Sequence, residues 1–534
     1  MTRARLALLA VAAAQLAGAA ALPGQHPLVS LPLNDPAYAQ LDGLMRQGCV
    51  PARLSPYRPY LVLAVRQALI AAHTAPHCAG PILELLTARF ARDTGMVNDT
   101  SDARLRFGVL ASLIGTGQTN GTVLPLWRDV RSVDSGPQPL VGYAAARLSF
   151  NGGPHFAAVT ELFAQTGVRD DPTIREESFR HGSGVVGVNQ AYFSARTGPL
   201  FFFFGREPVA WLGEGTESIA LSAAGPPLDH FGFALRLRQW EFQSLVAQAS
   251  DVTLDPTIDG VPATETWLRT LYAHSLTFWP WRGVELTLGE TALVPRQTGG
   301  LDWAYLNPIM PYQTTQHERS PSGGGDANLT GYFSARATAG RATLSGELLI
   351  DDYQLDAADK QTYPNQLAWT LGATYPLPLA MAASVGLEWR HVQSFTYIGQ
   401  PTYAKVYQSF DAPLGSNLGP DAESVIGTLE VWGSARLRFA GTLGWWQRGA
   451  MRLNKRPTVN RSGHARDPYP DTTALRPKVQ TSLLAGLSAQ WLDERWPITL
   501  EIGDARIENV NNQPTSAENY LRLQLTASYR WRYP

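Results

Sequence analysis

The chain has 534 residues, of which 17% are charged, and it carries a formal net charge of -1, 48 glycines and 15 tryptophans. A balance so close to neutrality gives a nucleic-acid partner no electrostatic support, and few charges with many aromatics suit a strand-rich, lipid-contacting protein better than a helical enzyme. The length allows two or three domains or one large β-architecture.

The first residues, "MTRARLALLAVAAAQLAGAAALPGQ", place Arg3 and Arg5 before an apolar run that ends in small residues. This is the layout of a signal peptide, residues 1–21, with cleavage expected near Ala21. No cysteine follows the apolar run, so no lipid anchor is expected. Beyond it there is no run of about 18 apolar residues, the minimum for a membrane-crossing helix; "PYLVLAVRQALIAA" is broken by Arg66.

Residues 22–100 are expected to form a small periplasmic helical domain. In "NDPAYAQLDGLMRQG", Asn34 or Asp35 serves as N-cap, Pro36 stands in the first turn and Gly48 follows the end. "YLVLAVRQALIAA" and "GPILELLTARFARD" predict two further helices, the second with Glu84 early and Arg89 and Arg92 late, as the helix dipole favours. Cys49 and Cys78 are the two cysteines. In an exported protein they are expected to pair as one disulfide, with two free thiols as the alternative.

From about Arg104 the hydrophobic period becomes two and stays so through residues 101–534. In "NLTGYFSARATAGRATLSGELLID", Leu329, Phe333 and Ala335 oppose Thr330, Ser334 and Arg336, and the pattern resumes after a turn near Gly340. In the closing "YLRLQLTASYRWRYP", Leu521, Leu523, Leu525, Tyr529, Trp531 and Tyr533 alternate with Arg522, Gln524, Thr526, Ser528 and Arg530. Eighteen strands are expected to start near positions 103, 139, 155, 183, 200, 229, 241, 264, 283, 329, 342, 367, 380, 424, 436, 477, 497 and 519. Short and long links alternate between them. That is the arrangement of an 18-stranded antiparallel transmembrane β-barrel of the bacterial outer membrane, with short turns and both termini in the periplasm. Closure is required because an open strand edge in hydrocarbon leaves backbone groups unsatisfied. The apolar face then meets outer-membrane lipid, and the polar face a lumen.

Catalytic pairings are poor. His274 and Ser275 are neighbours on one strand and point to opposite faces; His181 and Ser183 share a face but have no third member. Asp351 and Asp352 are not followed by carboxylates at a metal-binding spacing. No enzyme activity, cofactor or metal is expected.

Five segments together resemble a known family: "VSLPLNDPAYAQLDGLMRQGCV", "GREPVAWLGEGTESIALSAAGPP", "GLDWAYLNPIMPY", "GELLIDD" and "PLGSNLGPDAES". In this order they are similar to the Wzi-like outer-membrane proteins of capsule assembly. The resemblance implies a helical domain before an 18-stranded barrel, and a lectin-like surface protein that holds or organises capsular or exported polysaccharide. The chain departs from the family's Trp-Gly-Pro-Gly and Leu-Ser-Asn-Ala patterns at Trp211–Gly215 and Leu221–Ala224.

Sugar recognition needs flat aromatic faces for C–H surfaces and planar polar groups for hydroxyls. The expected long loops hold both: Arg206, Glu207 and Trp211; Asp302, Trp303, Tyr305, Asn307 and Tyr312; Tyr397, Tyr403 and Tyr407. A second expectation follows from inward charges such as Glu388 with Arg390, or Arg436 with Arg438: an open, charged lumen makes a substrate-specific porin. Whether loops close the lumen separates the two.

Overall fold

The computed structural model describes residues 28–531, leaving aside 51–53, 55–56, 75–77, 79, 92–103, 119–139, 153–154, 167–178, 182–183, 212–216, 224, 257–262, 320–326, 354–364, 400–402, 411, 450 and 454–478. The expected signal peptide, residues 212–215 of the central motif, Ser183, Ala224 and Tyr533 lie outside the described residues. Among the described residues no helix is long and apolar enough to cross a membrane.

Three helices come first: α1 (Ala37–Arg46), α2 (Val62–His73) and α3 (Pro81–Ala91). Asp35 caps α1 by accepting from Ala37 N at 2.9 Å. At its other end Gly48 takes φ +72°, with Cys49 N bonded to Leu44 O and Gly48 N to Met45 O. This is the Schellman arrangement that a glycine at this position permits. Leu41, Leu44, Val65, Leu69, Leu86 and Phe90 make one core with Trp432 and Leu492 of the barrel. Gly43 is required where α1 meets the barrel, because a Cβ there would stand 2.9 Å from the Trp432 ring.

Asp35 binds Arg89 through two hydrogen bonds of 2.7 Å and reaches Arg530 at 3.4 Å, tying the helices to the last strand. Burial alone opposes its ionisation, but the two guanidinium groups more than offset this and hold the carboxyl at about 2. A depressed carboxyl stabilises the folded state fully above its unfolded value of 3.8 and loses that contribution as pH falls towards 2. We therefore expect the helical domain of Asp35→Asn to be weakened by about 2 kcal/mol at neutral pH. The difference from the native chain should vanish near pH 2, as followed by thermal unfolding. A constant difference across that range would contradict the assignment.

Cys49 and Cys78 lie with their Cα atoms 5.2 Å apart, a disulfide spacing. Unreduced peptide mapping should yield one linked fragment, and reduction should cost the helical domain about 3 kcal/mol. Two unlinked thiols in the mature protein would contradict this.

Eighteen long strands follow among the described residues. The first nine are β1 (Arg104–Gln118), β2 (Leu140–Asn151), β3 (Phe156–Thr166), β4 (Gly184–Thr197), β5 (Leu200–Glu207), β6 (Leu228–Arg236), β7 (Trp240–Leu254), β8 (Glu265–Phe278) and β9 (Val284–Arg296). The second nine are β10 (Asn328–Ala339), β11 (Ala342–Asp352), β12 (Gln366–Pro376), β13 (Ala383–Val392), β14 (Ala422–Trp432), β15 (Leu437–Arg448), β16 (Gln480–Trp491), β17 (Ile498–Glu508) and β18 (Ala517–Trp531). Each expected start lies within three residues of the observed one. All neighbours are antiparallel, and β18 closes the barrel on β1 with Val109 opposite Trp531 and Gln118 opposite Arg522. The expected hairpin pairs Ala339 with Ala342 across Gly340, whose φ of +63° a side chain would resist. A three-residue strand, Phe179–His181, adds to β4.

The wall is two-sided as the alternation requires. Leu521, Leu523 and Leu525 of β18 are exposed on the outside, whereas Arg522 is buried on the inside. The outer leucines run on across β15–β17 through Leu443, Leu487 and Ile502, forming an apolar belt that lipid covers. Aromatic rings edge the belt near the short turns, where Trp240 stacks on Phe278 at 3.9 Å and Trp496 meets Tyr529 at 4.4 Å.

Candidate functional site

Inside the barrel stands a column built from both ends. From the helical side, Tyr57–Arg58 enters the barrel and pairs antiparallel with Ala210–Trp211 of the connection between β5 and β6. The Tyr57 hydroxyl bonds the hydroxyls of Ser275 (2.6 Å) and Thr277 (2.9 Å) on β8, and its ring stands edge-on to Trp211.

Above this junction, residues 217–222 meet the connection between β13 and β14. Tyr397 donates its hydroxyl to Ile219 O at 2.6 Å, Tyr407 to Ala220 O at 2.9 Å, and Ser222 to Gly415 O at 2.6 Å. The two tyrosine rings stack with centroids 5.8 Å apart, and burial holds both phenols above their ordinary range, so they remain neutral donors.

The wall grips these loops through backbone groups. Arg269 donates to Val406 O, Asn328 to Lys405 O, and Asp351 accepts from Tyr397 N at 2.6 Å. Glu217 takes Arg390 at 2.5 Å and also accepts from Asn417. Burial raises the Glu217 carboxyl above its ordinary range, against the opposing charge of Arg390. Trp211, Leu221, Leu245, Leu271, Leu293, Leu349, Val392, Tyr397 and Tyr407 thus form one apolar core inside the barrel. Backbone donors and acceptors in such a core must be paired, which is what these side chains accomplish.

The connection between β9 and β10 takes another course. Its helices α4 (Trp303–Leu306) and α5 (Tyr312–Arg319) lie over the outward face of β8 and β9. Tyr305 packs on Tyr272 and Tyr312, and the Tyr312 ring lies 4.3 Å from His274. Tyr312 N donates to Glu290 at 2.6 Å. Asp302 caps α4 through Ala304 N, pairs with Arg296 and receives the Tyr272 hydroxyl as a partner of its own N–H. On this fixed support Trp303 is 83% exposed, and Leu301 and Ile309 are exposed beside it.

The expected sugar-contacting residues therefore separate into three groups. Trp211, Tyr397 and Tyr407 are buried in the column, with Tyr403 half-buried at its edge and bonded to Gln408. Asp302, Tyr305 and Tyr312 are buried in the support of the α4–α5 pair, and Trp303 and Asn307 are the members that face solvent. Arg206 lies on the outer face of β5 in a two-bond pair with Asp229, while Glu207 is buried in the lumen beside Ser30. Glu217, Ile219, Ala220 and Ser222, which join the column, were not among the expected residues. "SIALSAAG", uncharged over its whole length, was the available signal, since so apolar a loop does not suit an aqueous surface.

Of the pairs considered for catalysis, His181 with Ser183 falls outside the described residues through Ser183, and His274 and Ser275 stay apart. His274 faces outward to Glu290 at 3.4 Å, whereas Ser275 faces inward to Tyr57. Among the described residues no group of three or more His, Cys, Asp or Glu is placed to hold a metal ion. Glu388 and Arg390 do share the inward face, 3.0 Å apart, while Arg436 pairs with Asp493 and Arg438 with Glu430.

No protein family matches the sequence, and no curated protein does. Among solved structures the chain is similar to Wzi of Escherichia coli, described as an outer membrane protein involved in group 1 capsule assembly and a carbohydrate-binding β-barrel. The TM-score is 0.58 at 15% identity, covering 95% of this chain and 100% of that one. Two Pseudomonas aeruginosa proteins align less well, both with a TM-score of 0.44. OccD3 (OpdP) has 11% identity over 81% of this chain and 93% of its own, and OprD has 10% over 80% and 95%. The fold of this chain is that of the Wzi barrel.

Proposed function

We propose that the protein sits in the bacterial outer membrane, long loops outward and helical domain in the periplasm, and holds capsular or exported polysaccharide at its outer face. It acts without catalysis, cofactor or transport. The carrying observation is the interlocked column inside the barrel, which favours the loop face over a pore as the working surface. Short turns at the helical end support the orientation, as in other barrels of this membrane. The fold shared with a barrel described as carbohydrate-binding supports the ligand class. A polymer presents many equivalent units, so modest affinity per unit suffices when several copies hold one chain.

Trp303 and Asn307 are the contacts assigned to the polymer, because a fixed, exposed ring loses little freedom on binding. Trp303→Ala should reduce polysaccharide retention by the purified barrel severalfold at unchanged thermal stability. Tyr312→Ala, which empties a buried site, should instead cost the α4–α5 pair about 3 kcal/mol. Pull-down with capsular polysaccharide, run beside thermal unfolding, reads both. Full retention by Trp303→Ala would remove that ring from the site.

A further inference from the structure

A cavity lies at the helical end of the column, between residues 57–61 and the inner wall of β5–β7, with a volume of about 190 Å³. It exists because the inward face of β6 carries Gly232 and Ala234 between His230 and Arg236, leaving the wall hollow where neighbouring strands carry larger groups. Its volume corresponds to about six waters at ~30 Å³ each, the space of a single pyranose ring. Leu61, Ala64 and Arg236, at the helical end, form a part-exposed rim.

The lining combines flat rings with a few polar groups. Tyr57, Trp211, Phe203 and His230 contribute faces, the last two stacked 4.4 Å apart. Gln243 and Arg236 both bind Glu241, at 2.6 and 3.1 Å, so that carboxylate is already neutralised. Glu207 is different: the residue is buried with Ser30 bonded to its carboxyl, yet its Oε2 has no hydrogen-bond partner among the described residues. A buried acceptor without a donor is costly and is normally met by water or a ligand. What suits this set is a donor carried on a small ring with apolar C–H faces.

We propose that this cavity is a binding site for one neutral hexopyranose unit entering from the helical end, with a sugar hydroxyl donating to Glu207 Oε2 and the ring lying against Trp211 and Tyr57. A hexuronate is disfavoured, since burying its carboxylate in this largely apolar site carries a desolvation cost that a hydroxyl does not. The site lies at the helical end of the column, opposite the loop face that holds polymer, and it stands or falls independently of that assignment.

The test uses the full-length barrel in detergent, titrated with glucose, galactose and glucuronate by saturation-transfer NMR and calorimetry. Saturable millimolar binding of a neutral hexose is expected, with glucuronate weaker by roughly tenfold or more. Ala234→Trp, which fills the hollow, and Glu207→Leu, which removes the acceptor, should each weaken the hexose by a similar factor. Heat-dependent gel mobility verifies that each variant is folded; if Ala234→Trp fails this check, Glu207→Leu decides. Absence of hexose binding, or unchanged binding by a folded variant, overturns the site. Polysaccharide retention on intact cells should be the same for Ala234→Trp and the native chain, so a failure at the outer face is read separately.

Discussion

With Arg390 replaced by alanine, the purified barrel should pass ions across a planar bilayer that the native barrel leaves silent. Arg390 is buried on the inner face of β13, and it holds Glu217 at 2.5 Å, Glu388 at 3.0 Å and the Ser416 hydroxyl at 3.4 Å. Removing one member of a buried ion pair costs about 3–5 kcal/mol, because the other charge stays buried. That cost falls on the loops carrying Glu217 and Ser416, since β13 itself keeps its ladders with β12 and β14. The column opens and the wall remains.

The openings should depend on pH in a definite direction. Burial already raises the Glu217 carboxyl above its ordinary value of 4.5, and losing Arg390 raises it further. A carboxyl with a raised folded value contributes its stability when protonated and loses it as pH rises through that value. Conductance of Arg390→Ala should therefore increase as pH rises beyond the ordinary carboxyl value of 4.5. Traces as silent as those of the native barrel would show that this ion pair does not secure the column.

Trp432→Ala should release the helical domain while leaving the barrel folded. The ring is buried at the end of β14 among the side chains of α1–α3, and its Nε1 donates to Glu430 at 2.8 Å. Truncating a buried tryptophan costs about 3–5 kcal/mol. Here the loss falls on the surface where α1 approaches through Gly43 and where Arg46 reaches Glu430 at 2.5 Å. Limited proteolysis of the helical segment should accelerate on the order of 100-fold, as the population of the undocked state rises. Heat-dependent gel mobility of the barrel should not change. Unaltered cleavage would mean that docking rests on Asp35, Arg89 and Arg530 rather than on the tryptophan.

The wall was legible in the sequence because one physical rule governs every strand. A lipid exterior and a polar interior impose period two from Arg104 to Trp531, and short and long links mark the two ends of the barrel. The course of the loops was not legible. Trp211, Tyr397 and Tyr407 have the composition of exposed sugar platforms, yet their burial is decided by partners remote in the chain, such as Tyr397 with Ile219 O, 178 residues away. Tyr305 and Tyr312 were equally undetermined. Their cover over β8 and β9 is foreshadowed by Tyr272, His274 and Glu290, polar groups on an otherwise lipid-facing parity. Strand parity thus contained a signal that loop composition did not.

The most direct test of the account is planar-bilayer conductance of the native full-length barrel, paired with a capsular polysaccharide pull-down from the same preparation. A closed column with a glycan-holding outer face predicts silent bilayers together with retained polysaccharide, whereas large, steady channels with no retained polysaccharide would contradict it.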